Sequence, residues 1–257
     1  MSPLAQRILS ALVMLPPVAA AVWFGPPWSD LLVGLAVAIL AWEWGSITAG
    51  RFLAPGPLLL AAGLVAAVVV LASGGGSWAL LPLAIAGAGA LLLGPAGRRG
   101  WLALGALYIG PAALAFAWLR HRPDGLELIG YLLATVWAVD IFAYVAGRAI
   151  GGPKLWPAVS PKKTWAGLIG GVLAAALAGA AAAWWLDAAP AAGLALASAL
   201  LALVAQGGDL LESAIKRHFG VKDASQLIPG HGGLMDRVDG LLAASLALAA
   251  ALWLGLL

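Results

Sequence analysis

The sequence predicts an all-α polytopic membrane protein of about nine transmembrane helices, with its N-terminus in the cytoplasm. Three observations carry that prediction. First, 63% of the 257 residues are hydrophobic and only 10% are charged, with a mean hydropathy of +1.00. A soluble domain carries about 25% charge and about 45–50% apolar residues, so a soluble monomer and a disordered tail are both excluded. Second, the apolar residues fall in runs close to the ~20 residues that cross a bilayer. Third, the Lys and Arg residues lie between those runs with a bias to one side. Cysteine is absent, which excludes a disulfide-stapled secreted domain and leaves the compartment open. The net charge of +3 reads as loop bias, and no nucleic-acid partner is expected.

In chain order, the first run (8–24) follows Arg7, contains Pro16 and Pro17, and closes at Gly25-Pro26-Pro27. The second (29–48) carries Glu43 between Trp42 and Trp44. An intramembrane carboxylate is expensive; Glu43 reads equally as a buried hydrogen-bonded group or as part of a lipid cavity. Arg51 leads into the third run (53–72), which ends at Ser73-Gly74-Gly75-Gly76, and the short fourth (78–94) ends at Gly94-Pro95. The fifth (101–119) follows Arg98 and Arg99, and the sixth (126–147) follows Arg120 and Arg122. The seventh (165–186) and eighth (190–208) are separated by Ala188-Ala189-Pro190, and the last is 238–257. Glycine and proline at these junctions break helices. Gly167-x-x-x-Gly171 reads as close helix packing. With the N-terminus inside, 12 of the 14 cations are cytoplasmic and only Arg120 and Arg122 are outside, as the positive-inside rule requires. Residues 1–21 fit a cleaved signal peptide only loosely, because the basic region is weak and further spans follow at once. The chain divides into structural, lipid-facing helices (1–125) and a C-terminal transmembrane region (126–257) with cytoplasmic loops 148–164 and 209–239, the part expected to be catalytic on the residues that follow.

Nine of the charged residues fall within 209–239: Asp209, Glu212, Lys216, Arg217, Lys222, Asp223, Asp236, Arg237 and Asp239. Asp209, Ser213 and Lys216 share a face if the eighth helix continues past the membrane. Asp236 and Asp239 are one turn apart at the start of the last span. Pro229-Gly230-His231-Gly232-Gly233 lets backbone approach a ligand. Mg²⁺ takes oxygen ligands, usually one or two carboxylates with phosphates and water, and Asp209 and Asp236 supply such carboxylates from two helices. Carboxylates, cations and a glycine-rich turn are what metal-assisted phosphoryl or nucleotidyl transfer needs. In the other loop, Ser160-Pro161-Lys162-Lys163-Thr164 puts two cations and two hydroxyls before a span, with Pro161 suited to a helix start whose N-terminus favours an anion. Asp140, Tyr144 and Gly147 share one face of the sixth span. A lone histidine is usually structural, so His218 receives no role. A transporter, the rival class, spreads its charges along a path; here they cluster on one membrane face.

Ser213-Ala-Ile-Lys216-Arg217, then after four intervening residues Lys222-Asp223, and then Ile228-Pro229-Gly230-His231-Gly232-Gly233-Leu-Met-Asp236-Arg237-Val-Asp239 resembles the signature of the phosphatidate cytidylyltransferase (CDP-diacylglycerol synthase) family, with every spacing kept over 27 positions. Asp140-x-x-Ala143-Tyr144-x-x-Gly147 and Ser160-Pro-Lys-Lys-Thr164 resemble further parts of it. By motif the resemblance covers residues 135–240; the first half matches only in being apolar. It implies transfer of CMP from CTP to phosphatidic acid, giving CDP-diacylglycerol and pyrophosphate, with Mg²⁺ and a second metal ion left open. It also implies a homodimer in the bilayer of the inner (plasma) membrane, with the site facing the cytoplasm. The catalytic residues it implies are Asp209, Lys216, Arg217, Asp236 and Asp239, with Asp209 and Asp236 as metal ligands. On the substrates it implies Asp140, Ser160, Lys162, Lys163, Thr164, Ser213, Lys222, Asp223, His231, Gly232, Gly233 and Arg237. Ala166 stands where the family typically has Glu, which leaves that loop's role in metal or base binding open, and Gly240 stands where Ser is usual. A related lipid nucleotidyltransferase or kinase with another acceptor is the alternative within the class.

Overall fold

The computed structural model describes residues 3–186 and 190–257. It is mostly helical, and seven of its helical segments are long and apolar enough to cross a membrane: Trp28–Ala49, Pro55–Ala72, Gly76–Leu93, Arg99–His121, Gly125–Ala149, Trp165–Trp184 and Ala191–His218. The chain is therefore a polytopic membrane protein. Helices also fill the expected first and last spans. The apolar stretch of α1 (Pro3–Phe24) is confined to Leu12–Phe24. The last helix, Met235–Trp253, holds Asp236, Arg237 and Asp239 in its opening turns; the charges that mark a candidate site also shorten its apolar run. Ala188 and Ala189 of the expected connector lie outside the described residues.

One compact unit comprises Met1–Leu126 and His218–Val238. Helix α2 (Trp28–Ala49) ends on Gly50, whose φ of 78° is the left-handed geometry that closes many helices. Helix α3 (Pro55–Ala72) starts on a proline, which lacks the N–H that a first turn leaves unpaired. A single 3-10 turn, Gly76–Ala79, leads into α4 (Leu80–Leu93). The expected fifth span is present as Arg99–His121 but is built of two helices, α5 (Arg99–Tyr108) and α6 (Gly110–His121). Pro111 is the cause: it has no N–H for the carbonyl one turn earlier. The core centres on fully buried Trp44, whose indole N–H donates to the carbonyls of Trp101 and Leu102 at 3.0 and 3.2 Å. Its ring stacks on Tyr108, 5.4 Å between centroids. A Cβ at Gly105 would come within 2.6 Å of that indole.

The second unit comprises Glu127–Arg217 and Asp239–Leu257. Its helices are α7 (Gly125–Ala149), α8 (Trp165–Leu186), α9 (Ala191–His218) and α10 (Met235–Trp253). The Gly167/Gly171 stripe packs α8 on α7 as expected: added Cβ atoms would lie 2.7 and 2.8 Å from the carbonyl oxygens of Ala143 and Val139. Ser198 Oγ donates to the Tyr131 hydroxyl at 2.8 Å, a buried polar tie between α9 and α7. The all-α expectation is corrected by a hairpin. Strands β1 (Lys154–Trp156) and β2 (Ser160–Thr164) pair antiparallel, Lys154 opposite Thr164 and Trp156 opposite Ser160. Pro161 thus sits in a strand, and the following helix starts at Trp165. Both strands of a lone hairpin are edges, where a missing N–H is tolerated.

Candidate active site

In the second unit, α7, β2, α9 and α10 bring four charged groups together. Lys163 on β2 places its Nζ 2.6 Å from Asp209 Oδ2 and donates to Gln206 Oε1 at 2.9 Å. The Gln206 amide donates to Asp140 Oδ1 at 3.4 Å, and Ser213 Oγ donates to Asp209 Oδ1 at 3.4 Å. Asp239 feels the negative charges of Asp209 and Asp140 and the positive charge of Lys163, and accepts the Gly240 N–H at 2.7 Å. Close packing of α10 on α9 sets this spacing, because a Cβ at Gly208 would meet the Asp239 carbonyl oxygen at 2.9 Å. Three carboxylates thus gather around one lysine, an excess of negative charge that a divalent cation would relieve.

Helix α9 explains how the charges reach this point. Its 28 residues rise about 42 Å, against about 30 Å for a hydrocarbon core. Asp209 and Ser213 lie in its last three turns. Lys216 bonds there with Glu212, 2.6 Å apart and one turn away, both buried. Arg217 is exposed at the helix end. On β2, Lys162 is exposed and Ser160 half-buried. Thr164 is buried, and its hydroxyl accepts the Gly167 N–H at 3.1 Å, capping α8.

In the first unit, the glycine-rich segment is a tight turn. The Ile228 N–H donates to the Gly232 carbonyl at 2.8 Å and the Gly232 N–H returns to the Ile228 carbonyl at 3.1 Å, with φ of 76° and 87° at Gly230 and Gly232. Those φ values and the 2.8 Å between a Gly232 Cβ and Asp236 Oδ2 explain why glycine is needed there. Asp236 Oδ2 accepts the N–H groups of Gly233 and Ala224 at 2.7 and 2.9 Å. Asp223 flanks Gly232. His231 Nδ1 is 2.9 Å from Ser10 Oγ, and Lys222 and Arg237 are exposed. His218 belongs to an aromatic cluster with Trp101 and Phe219, at 4.7 and 5.0 Å between centroids.

A family model described as "Cytidylyltransferase family" matches residues 5–254. The chain belongs to the cytidylyltransferase family. It is 42% identical over 251 residues to a phosphatidate cytidylyltransferase of Brucella abortus, covering 95% of this chain and 92% of that one. It is 38% identical to one of Pseudomonas aeruginosa, with 97% of each covered. A Staphylococcus haemolyticus phosphatidate cytidylyltransferase matches at 40% over 140 residues, about half of each chain (51% and 50%). The match includes the first half, where the sequence alone offered only apolar character.

Within this cytidylyltransferase the expected residues fall into two sets, described unit by unit. Asp140, Lys163, Asp209, Ser213 and Asp239 converge in one. Asp223, His231, Gly232, Gly233 and Asp236 build the turn in the other. Sequence reasoning missed Gln206, which bridges Lys163 and Asp140; its signal was its place one turn before Asp209 on the same helix face. Glu43 resolves to the buried, hydrogen-bonded alternative: its carboxylate accepts from Ser225 Oγ and from the N–H groups of Leu234 and Met235. Among the described residues no three His, Asp or Glu side chains form an all-protein metal cage. Mg²⁺ takes oxygen ligands, usually one or two carboxylates together with substrate phosphates and water. The negative cluster around Asp209 and the carboxylate of Asp236 have the required oxygen chemistry.

Proposed function

We propose that the chain transfers CMP from CTP to phosphatidate, forming CDP-diacylglycerol and pyrophosphate for phospholipid synthesis. The observation that carries this reading is the gathering of Asp140, Asp209 and Asp239 around Lys163 in a chain otherwise poor in charge. A phosphate oxygen of phosphatidate attacks the α-phosphorus of CTP. The new P–O bond forms as the bond from that phosphorus to the bridging oxygen breaks, and pyrophosphate leaves with the electron pair. The nucleophile is already anionic near neutral pH, so no strong base is needed. The obstacle is repulsion between two polyanions, and catalysis is mainly positioning and electrostatics.

Asp209 and Asp236 are the proposed Mg²⁺ ligands, supported by the spacing of the motif and their oxygen chemistry. The bound ion supplies charge neutralisation and orientation of the triphosphate. Lys163, paired with Asp209 in the carboxylate cluster, exchanges Asp209 for substrate phosphate. Exposed Lys162, Arg217, Lys222 and Arg237 draw anionic substrate toward the site. Lys216, tied to Glu212, acts through the position of the α9 end. Ser160 and Thr164 shape the hairpin leading to Lys163, and the 228–233 turn presents backbone with His231 and Asp223 to the nucleotide.

As a whole, the protein is proposed to cross the inner membrane nine times, N-terminus inside, as a homodimer with its site on the cytoplasmic face. Purified full-length protein, given CTP labelled at the α-phosphorus and phosphatidate, should form labelled CDP-lipid only with Mg²⁺. Label on a different lipid phosphate but not on phosphatidate would overturn the acceptor.

A further inference from the structure

We infer that Glu43 is a positioning residue for the reaction: from the C-terminal third of α2 it fixes the first turn of α10 and, through it, Asp236. This rests on the reading of Asp236 as part of the machinery. The Glu43 side chain is completely buried, at 0% exposure. A buried carboxylate is costly unless it is satisfied, and here every named donor comes from one short segment. Ser225 Oγ donates to Oε1 at 2.6 Å, the Leu234 N–H to Oε1 at 2.8 Å, and the Met235 N–H to Oε2 at 2.7 Å. Leu234 and Met235 open α10, so a side chain from α2 performs the capping that a neighbouring Ser or Asp usually performs. An anion also suits that end of a helix.

The grip interlocks with that of Asp236. Asp236 holds the amides of Ala224 and Gly233, and Glu43 holds Ser225 and Leu234, the next residue along in each case. Two carboxylates therefore clamp both ends of the glycine-rich segment. The fit leaves no slack, since a Cβ at Gly233 would overlap Glu43 Oε1. A glutamine at 43 would turn an NH₂ toward a backbone N–H, so at least one bond would become a donor–donor clash.

The test uses full-length protein with Glu43→Gln, reading steady-state kinetics and amide hydrogen exchange of residues 224–236 without substrate. Supporting partners around a site are worth about 10–100-fold in activity. We expect a fall of that order in kcat, little change in KM for CTP or phosphatidate, and faster exchange confined to 224–236. Asp30→Asn breaks the ion pair with His121 in the same unit and should leave both readouts at wild type. If Glu43→Gln does not fold, Ser225→Ala removes a single donor and should move both readouts in the same direction by less. Wild-type kcat, or wild-type exchange beside a lowered kcat, would overturn the inference. Failure of the underlying reading is separately visible: Asp236→Asn would then stay active, while the exchange readout does not depend on catalysis.

Discussion

At the scale of the residue, each proposed role makes a measurable difference. Asp209→Asn should lower kcat by about 10²–10³, the usual cost of one preorganised electrostatic group, and raise the Mg²⁺ needed for half-maximal rate; an unchanged Mg²⁺ profile would remove Asp209 from the metal. Lys163→Ala should lower activity by a similar factor, with Lys163→Arg recovering part of it, because a cation is restored at the Asp209 carboxylate. Asp140, Asp209, Asp239 and Lys163 were legible in the sequence because ionised groups are rare in such a chain. Gln206 was not, being a neutral side chain in an apolar run. Glu43 was visible as an anomaly, but its partners lie about 190 residues away and no local pattern names them.

At the scale of the element, helix positions followed from apolar length, with junctions at glycine and proline. Two features escaped. Pro111 splits a span that hydropathy reads as continuous. The β1–β2 hairpin is too short to show alternation, and its Pro-Lys-Lys core resembles a helix start. The hairpin ends in the Thr164 cap, so Thr164→Ala should cost about 1 kcal/mol, seen as a lower melting temperature of the purified protein. Its kinetics should suffer as well if the cap holds Lys163 in register. Gly233→Ala belongs here too. It forces a methyl group against Glu43, and overpacking of this kind costs about 1–3 kcal/mol. No loss of melting temperature would show that the α2–α10 junction has slack.

At the scale of the whole molecule, composition alone gave the membrane class, and the distribution of arginine and lysine predicts a side. The sidedness has a direct test, because the chain has no cysteine of its own. A single Ala96→Cys, before Arg98, should react with a membrane-impermeant maleimide only from the cytoplasmic face. Pro123→Cys, beside Arg122, should react only from the opposite face; the reverse pattern would invert the topology. Burial and partner choice stayed hidden at this scale, because they depend on contacts between segments distant in sequence.

The bond from Leu234 to Glu43 also bears on how the protein is made. The two residues are 191 positions apart, so during synthesis α2 is in the membrane long before the first turn of α10 leaves the ribosome. Until then the carboxylate has none of its three backbone and hydroxyl donors and needs other polar partners. The growing chain therefore carries a carboxylate whose named donors come only with residues 225–235. A chain truncated before residue 225 lacks all three donors, so its second helix carries an unsatisfied carboxylate of the kind that is costly inside a membrane.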